Sequence, residues 1–118
     1  MPCNAKIFIA EDEGHLLKIE KIILKLAGHE VVLEARSLDK ALDNVNLAKT
    51  KEVTVAVIDE HLDNGPGDGP KIAQDLKNKV PGIKIVAFSA SDEPTEWGHL
   101  NLRKPQDIIG LGENITAL

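Results

Sequence analysis

A chain of 118 residues is the size of one domain with one core, and its 42% hydrophobic and 28% charged residues are the balance of a folded globular protein, not of a disordered one. The formal net charge of −5, with no cluster of lysine and arginine interleaved with aromatics, lacks the electrostatic footprint of a nucleic-acid binder. The apolar runs fall far short of the roughly 20 residues that cross a bilayer and Met1 to Lys6 holds no signal-peptide core, so a cytoplasmic protein without a membrane partner is expected; the lone Cys3 has no internal disulfide partner.

Lys6 to Ala10, "KIFIA", reads as a strand buried on both faces because polar alternation is absent, and it ends abruptly in Glu11, Asp12 and Glu13. From Gly14 the period becomes helical. Leu16, Ile19, Ile23, Leu26 and Ala27 share one predicted face, Lys18, Lys21 and Lys25 the other, and Gly28 stops the helix. Glu30 to Ala35 is a second strand. Ser37 is the expected N-cap of a helix that carries Leu38, Ala41, Leu42 and Val45, with Asp39 in its first turn. Val53 to Ile58 is a third strand, followed by a glycine-rich loop. Pro70 then suits a first helical position ahead of Ile72, Ala73, Leu76 and Val80, and Pro81 and Gly82 end that helix. Ile83 to Phe88 and the weaker Leu100 to Arg103 supply the fourth and fifth strands. A short terminal helix is weakened by Gly110 and Gly112.

Strands alternating with amphipathic helices imply βαβ units, hence a doubly wound α/β domain with helices on both faces of a parallel sheet. Ligands of such sheets bind outside the carboxyl ends of the strands. Those ends here carry Glu11 and Asp12, Asp59, Ser89 and Lys104. Crowded carboxylates repel one another unless a cation neutralises them, and a hard divalent ion such as Mg²⁺ suits oxygen ligands. With Lys104 for charge, the Ser89 hydroxyl for a hydrogen bond and a carboxylate to attack phosphorus, the constellation describes a phosphoryl site. Each residue also has a plainer reading. The acids after the first strand could cap a helix, Asp59 could begin a turn, and Trp97 could anchor its loop by packing. His61 has no paired spacing with His15, His29 or His99, so an imidazole metal site is disfavoured.

The residues "EDE" after the first strand, "VIDEHL" at the third, "FSA" at the fourth and "RKP" at the fifth, in that order, resemble a response regulator receiver domain over nearly the whole of residues 1–118. The resemblance implies a flavodoxin-like five-stranded parallel sheet in the order 2-1-3-4-5. It makes Asp59 the phosphoacceptor, supplied by a sensor histidine kinase or a histidine phosphotransfer protein and signalling to a downstream protein. It further implies Mg²⁺ held by Glu11, Asp12, Asp59 and the backbone carbonyl of His61, Ser89 as the switch hydroxyl, and Lys104 as the motif lysine before Pro105.

The chain departs from the family pattern in four places. Only fourteen residues, Ala90 to Arg103, separate Ser89 from Lys104, so the family's fourth helix is expected to be missing or reduced to a turn. Asn101 stands where an aromatic residue is usual. The loop after Asp59 carries Leu62 and Asp63 in place of a Met-Pro pair, and with Gly65, Gly67 and Gly69 it is similar in style to receivers that pair with an atypical group of sensor kinases. The terminal helix is short, and the sequence ends there, as in a stand-alone regulator or a fragment of a larger protein. Two other functions fit parts of the pattern: a Mg²⁺-dependent phosphohydrolase with Asp59 as nucleophile and His61 in the position of a general acid, and a pseudo-receiver that binds a partner without phosphorylation.

Overall fold

The apolar runs become strands whose lengths follow the runs closely. In the computed structural model, which describes residues 5–60, 62, 68–89, 96–103 and 107–118, the order is β1 (Lys6–Ala10), α1 (Gly14–Leu26), β2 (Glu30–Ala35), α2 (Leu38–Ala48), β3 (Val55–Asp59), α3 (Asp68–Lys79), β4 (Lys84–Ser89), β5 (Leu100–Arg103) and α4 (Leu111–Thr116). All neighbouring strands are parallel, in the order β2-β1-β3-β4-β5. This is the doubly wound arrangement expected from the alternating pattern, in the flavodoxin-like order that the receiver resemblance implies. Every residue of β3 is buried, as are all but the first of β1 and β4, because helices cover both faces.

Two cores result. Phe8, Ala41, Val45, Ile58, Ile72 and Leu76 fill the face under α2 and α3. Ile7, Leu24, Val57, Phe88, Leu111 and Ile115 fill the face under α1 and α4. Burying each large apolar side chain contributes roughly 1.5–3 kcal/mol. An exposed ion pair such as Lys21–Glu34 at 2.8 Å contributes about 0–1 kcal/mol, so packing decides the fold.

The helix ends follow local chemistry. Ser37 caps α2 by accepting the Lys40 N–H. Gly28 ends α1 with φ 91°, a left-handed conformation that suits glycine, and the Gly28 and His29 N–H groups donate to the Lys25 and Leu24 carbonyls. Pro70 is the third residue of α3, not the first; its missing N–H still falls among the first-turn donors that have no intrahelical partner. Val53 stays buried although β3 begins two residues later than the apolar run suggests.

One helical face differs from expectation. The buried residues of α1 are Leu17, Glu20 and Leu24, whereas Ile19 is exposed and Leu26 is 83% exposed. Apolar residues lie nearly all round this helix, so periodicity alone does not single out one stripe; docking against the sheet and α4 does.

His29 ties the chain ends together. Its buried ring accepts the Ala5 N–H at Nδ1 (3.0 Å), so Nε2 carries the proton, and it lies 2.9 Å from Thr116 Oγ1 and 3.2 Å from the Gly112 carbonyl. Between Ser89 and Leu100 the described part of the connection, residues 96–99, contains no helix, in keeping with the expected reduction of the family's fourth helix. Among the described residues no helix is long and apolar enough to cross a membrane.

Candidate functional site

Parallel register brings the strand ends to one edge of the sheet. β1 pairs with β3 through Ala10 and Ile58, so Glu11 and Asp12 emerge beside Asp59, the last residue of β3. The Glu11 N–H donates to the Ala35 carbonyl at 3.0 Å, which holds the start of the loop against β2. One carboxylate oxygen from each of Glu11, Asp12 and Asp59 lies within 4.8 Å of the others. Glu11 and Asp59 are buried and Asp12 is exposed. When all three are ionised they repel one another, most strongly between the buried Glu11 and Asp59 and less at the exposed Asp12, where water screens the charge. An all-oxygen, anionic donor set of this size is the chemistry that a hard divalent cation requires, and the residues fit one.

The third acid of the "EDE" run does something else. Glu13 is the N-cap of α1 and accepts the His15 N–H at 2.9 Å, while the Glu13 N–H donates to Glu11 Oε2 at 3.1 Å. Capping and clustering are thus divided among neighbours. Glu11 is oriented by a backbone donor of the cap, and Glu13 frees the other two acids for the edge.

Ser89 is buried at the end of β4, and its hydroxyl donates to Glu60 Oε2 at 2.7 Å. Glu60 is held at both ends of its peptide unit: its N–H donates to the Phe88 carbonyl at 2.9 Å, and its carbonyl accepts the Gly69 N–H at 3.1 Å. Gly69 must be glycine, because a Cβ there would stand 2.5 Å from the Asp59 carbonyl oxygen and 2.9 Å from Trp97 Cη2. The α3 N-terminus therefore rests directly on the backbone of the acidic strand.

Trp97 packs against the core under α2 and α3, which bears out its expected role as an anchor. Gly98 follows it closely over β4, where a Cβ would lie 2.8 Å from that of Ala87. Asn101, in the position where the family pattern has an aromatic ring, clamps Gly98: its Oδ1 accepts the Gly98 N–H at 3.1 Å, and its Nδ2 donates to the Gly98 carbonyl at 3.0 Å. His99 extends the β5 pairing, with its Nδ1 accepting the Ile85 N–H at 2.9 Å. Burial of that ring edge, followed by repulsion from Lys84 and Lys77, lowers the His99 pKa from its ordinary 6.5. Beyond β5, Arg103 and Asp107 exchange two hydrogen bonds, at 2.8 and 2.9 Å.

Of the residues singled out from sequence, Glu11, Asp12 and Asp59 come together and Ser89 lies on the strand next to Asp59. His61, Lys104 and Pro105 lie outside the described residues. Sequence reasoning missed Glu60 and the positional roles of Gly69 and Asn101. The available signals were the acid directly after Asp59 and the glycine at the start of α3.

No curated protein matches this chain. Solved structures share its fold: a CheY-like response regulator receiver domain protein from Methanospirillum hungatei JF-1 is 20% identical, with a TM-score of 0.78 over 97% of this chain and 92% of that one. A receiver domain protein from Clostridium thermocellum is 24% identical, with a TM-score of 0.73 over 96% and 94%. The receiver domain of the putative response regulator NarL from Mycobacterium tuberculosis is 19% identical, with a TM-score of 0.73 over 97% of both chains. The family model for the response regulator receiver domain matches residues 7–101, which includes the acidic edge and Ser89, and the chain belongs to that family.

Proposed function

We propose that the chain is the phosphoacceptor of a two-component phosphorelay, with Asp59 taking a phosphoryl group from a phosphohistidine on a sensor kinase or a phosphotransfer protein. The observation that carries this reading is the convergence of Glu11, Asp12 and Asp59 to within 4.8 Å at the carboxyl edge of a parallel sheet. An Asp59 carboxylate oxygen forms a bond to phosphorus as the P–N bond breaks, and the bonding pair leaves with the imidazole nitrogen. Glu11, Asp12, Asp59 and the His61 carbonyl would hold Mg²⁺, which when bound supplies positive charge for the phosphoryl oxygens. Lys104 adds a second positive charge, and Ser89 a hydrogen bond to one phosphoryl oxygen. Asp59 stands on a fully buried strand, so the nucleophile is held in place before the donor arrives. In this reading the protein is a switch in the cytoplasm, and its product is an altered surface for a downstream protein.

The test is intact mass after incubation with Mg²⁺ and acetyl phosphate. The wild type is expected to gain one phosphoryl group and Asp59→Asn none. Equal gain in both, or none in a wild type that binds Mg²⁺, contradicts the reading.

A further inference from the structure

The Ser89 hydroxyl is already engaged. It has one proton to donate, and that proton is given to the half-buried Glu60 carboxylate at 2.7 Å, a short, charge-assisted hydrogen bond. Glu60 directly follows Asp59, and Ser89 directly follows Phe88, the residue paired with Asp59. Two acceptors therefore come to share one donor when Asp59 is phosphorylated: the Glu60 carboxylate, and the new phosphoryl oxygens, which carry up to about two negative charges.

We infer that Glu60 is a positioning residue that competes with the phosphorylated acceptor for the Ser89 hydroxyl, so the Ser89–Glu60 bond is a latch that phosphorylation must exchange. The inference rests on the phosphoacceptor reading of Asp59. A bond from Ser89 to Glu60 stabilises the unphosphorylated chain selectively, because moving the proton to the phosphoryl group forfeits it. The Glu60 backbone is fixed to Phe88 and Gly69, so the exchange has to be made by side chains. Glu60 thereby sets how far the phosphorylation equilibrium runs, acting through Ser89 and not on phosphorus.

The consequence is a coupling between positions 60 and 89 that a structural role alone would not produce. Steady-state phosphorylation by acetyl phosphate, read by intact mass, is to be compared in the wild type, Glu60→Ala, Glu60→Gln, Ser89→Ala and the two double variants. Glu60→Ala should raise the ratio of phosphorylated to unphosphorylated chain about tenfold, the size of one charge-assisted hydrogen bond. Glu60→Gln should raise it less, because its carboxamide oxygen still accepts the proton. With Ser89→Ala in the background both effects should shrink to about twofold or less, the part due to removing a charge beside the acceptor. A Glu60→Ala ratio equal to wild type, or the same rise in both backgrounds, overturns the inference. Where Glu60→Ala fails to fold, the isosteric Glu60→Gln pair decides by the same criterion at about threefold. Absence of phosphoryl uptake by the folded wild type brings down the functional reading and the inference together; uptake without a Ser89-dependent effect brings down the inference alone.

Discussion

The acidic edge and the β4–β5 connection lie on the same sheet and are held by different means. At the acidic edge the positions are fixed by buried strands: β1 and β3 pair in register, and the acids follow from where those strands stop. β4 and β5 also pair in register, but the described part of the connection between them, residues 96–99, has no helix and is held by individual fastenings: the Trp97 ring on the core, Gly98 against Ala87, the two Asn101 bonds and the His99 ring on Ile85. The contrast separates a site set by where strands end from a connection set by side-chain contacts. Strand register holds the carboxylate cluster, while residues 96–99 are held by side-chain contacts of individually modest worth.

If the two regions differ in this way, damage to each should have a different signature. The largest effect is expected from Gly69→Ala, which joins them: the added Cβ meets the Asp59 carbonyl at 2.5 Å, and backbone cannot give way as a flexible side chain can. A loss of about 2–3 kcal/mol in urea unfolding, with reduced phosphoryl uptake, is the expected outcome. Unchanged uptake in this variant would mean that the α3 N-terminus does not position the acceptor strand.

Trp97→Ala should damage the connection and leave the acidic edge intact. The ring is half-buried, so a loss of about 2 kcal/mol is expected, below the range for fully buried tryptophans, with Mg²⁺ affinity within about twofold of wild type. A several-fold loss of Mg²⁺ affinity at unchanged fold would erase the proposed separation.

The smallest effect concerns pH. Because the His99 pKa is lowered on folding, the unfolded chain binds the proton first. This contribution to stability is complete above the ordinary value of 6.5 and is lost as pH falls through the folded value below it. The Ile85 N–H loses its acceptor when Nδ1 is protonated. A urea midpoint that declines below pH 6.5, with a shallower decline in His99→Asn, is expected; identical slopes would remove His99 from the list of fastenings.

How much of this was legible in the sequence follows the same division. "KIFIA" and "LNLR" became β1 and β5 with the bounds read from their residues: the first is an apolar run that stops at three acids, and the second alternates leucine with polar residues between Gly98 and Pro105. The acidic cluster was legible as well, since parallel topology alone sends the ends of β1 and β3 to one edge. The Leu17–Glu20–Leu24 stripe of α1 was not, because so many apolar residues surround that helix that only its docking selects a face. Nor were the Ser89–Glu60 bond or the Asn101 clamp on Gly98. Asn101 read as an aromatic lost, although it holds the strand's approach through two hydrogen bonds. A polar side chain's partner is set by tertiary placement, and neither composition nor period records it.

In the proposed function the acid at the end of β3 accepts the phosphoryl group. Reductive trapping shows which acid does so: after incubation with Mg²⁺ and acetyl phosphate, borohydride converts an aspartyl phosphate to homoserine, which peptide mass spectrometry then locates. Homoserine is expected at position 59, with no reduced side chain at any other acid. Homoserine at position 12, the longer 2-amino-5-hydroxypentanoic acid that reduction of a glutamyl phosphate would leave at position 11 or 60, or no reduced acid in a chain that has gained phosphate, would overturn that reading.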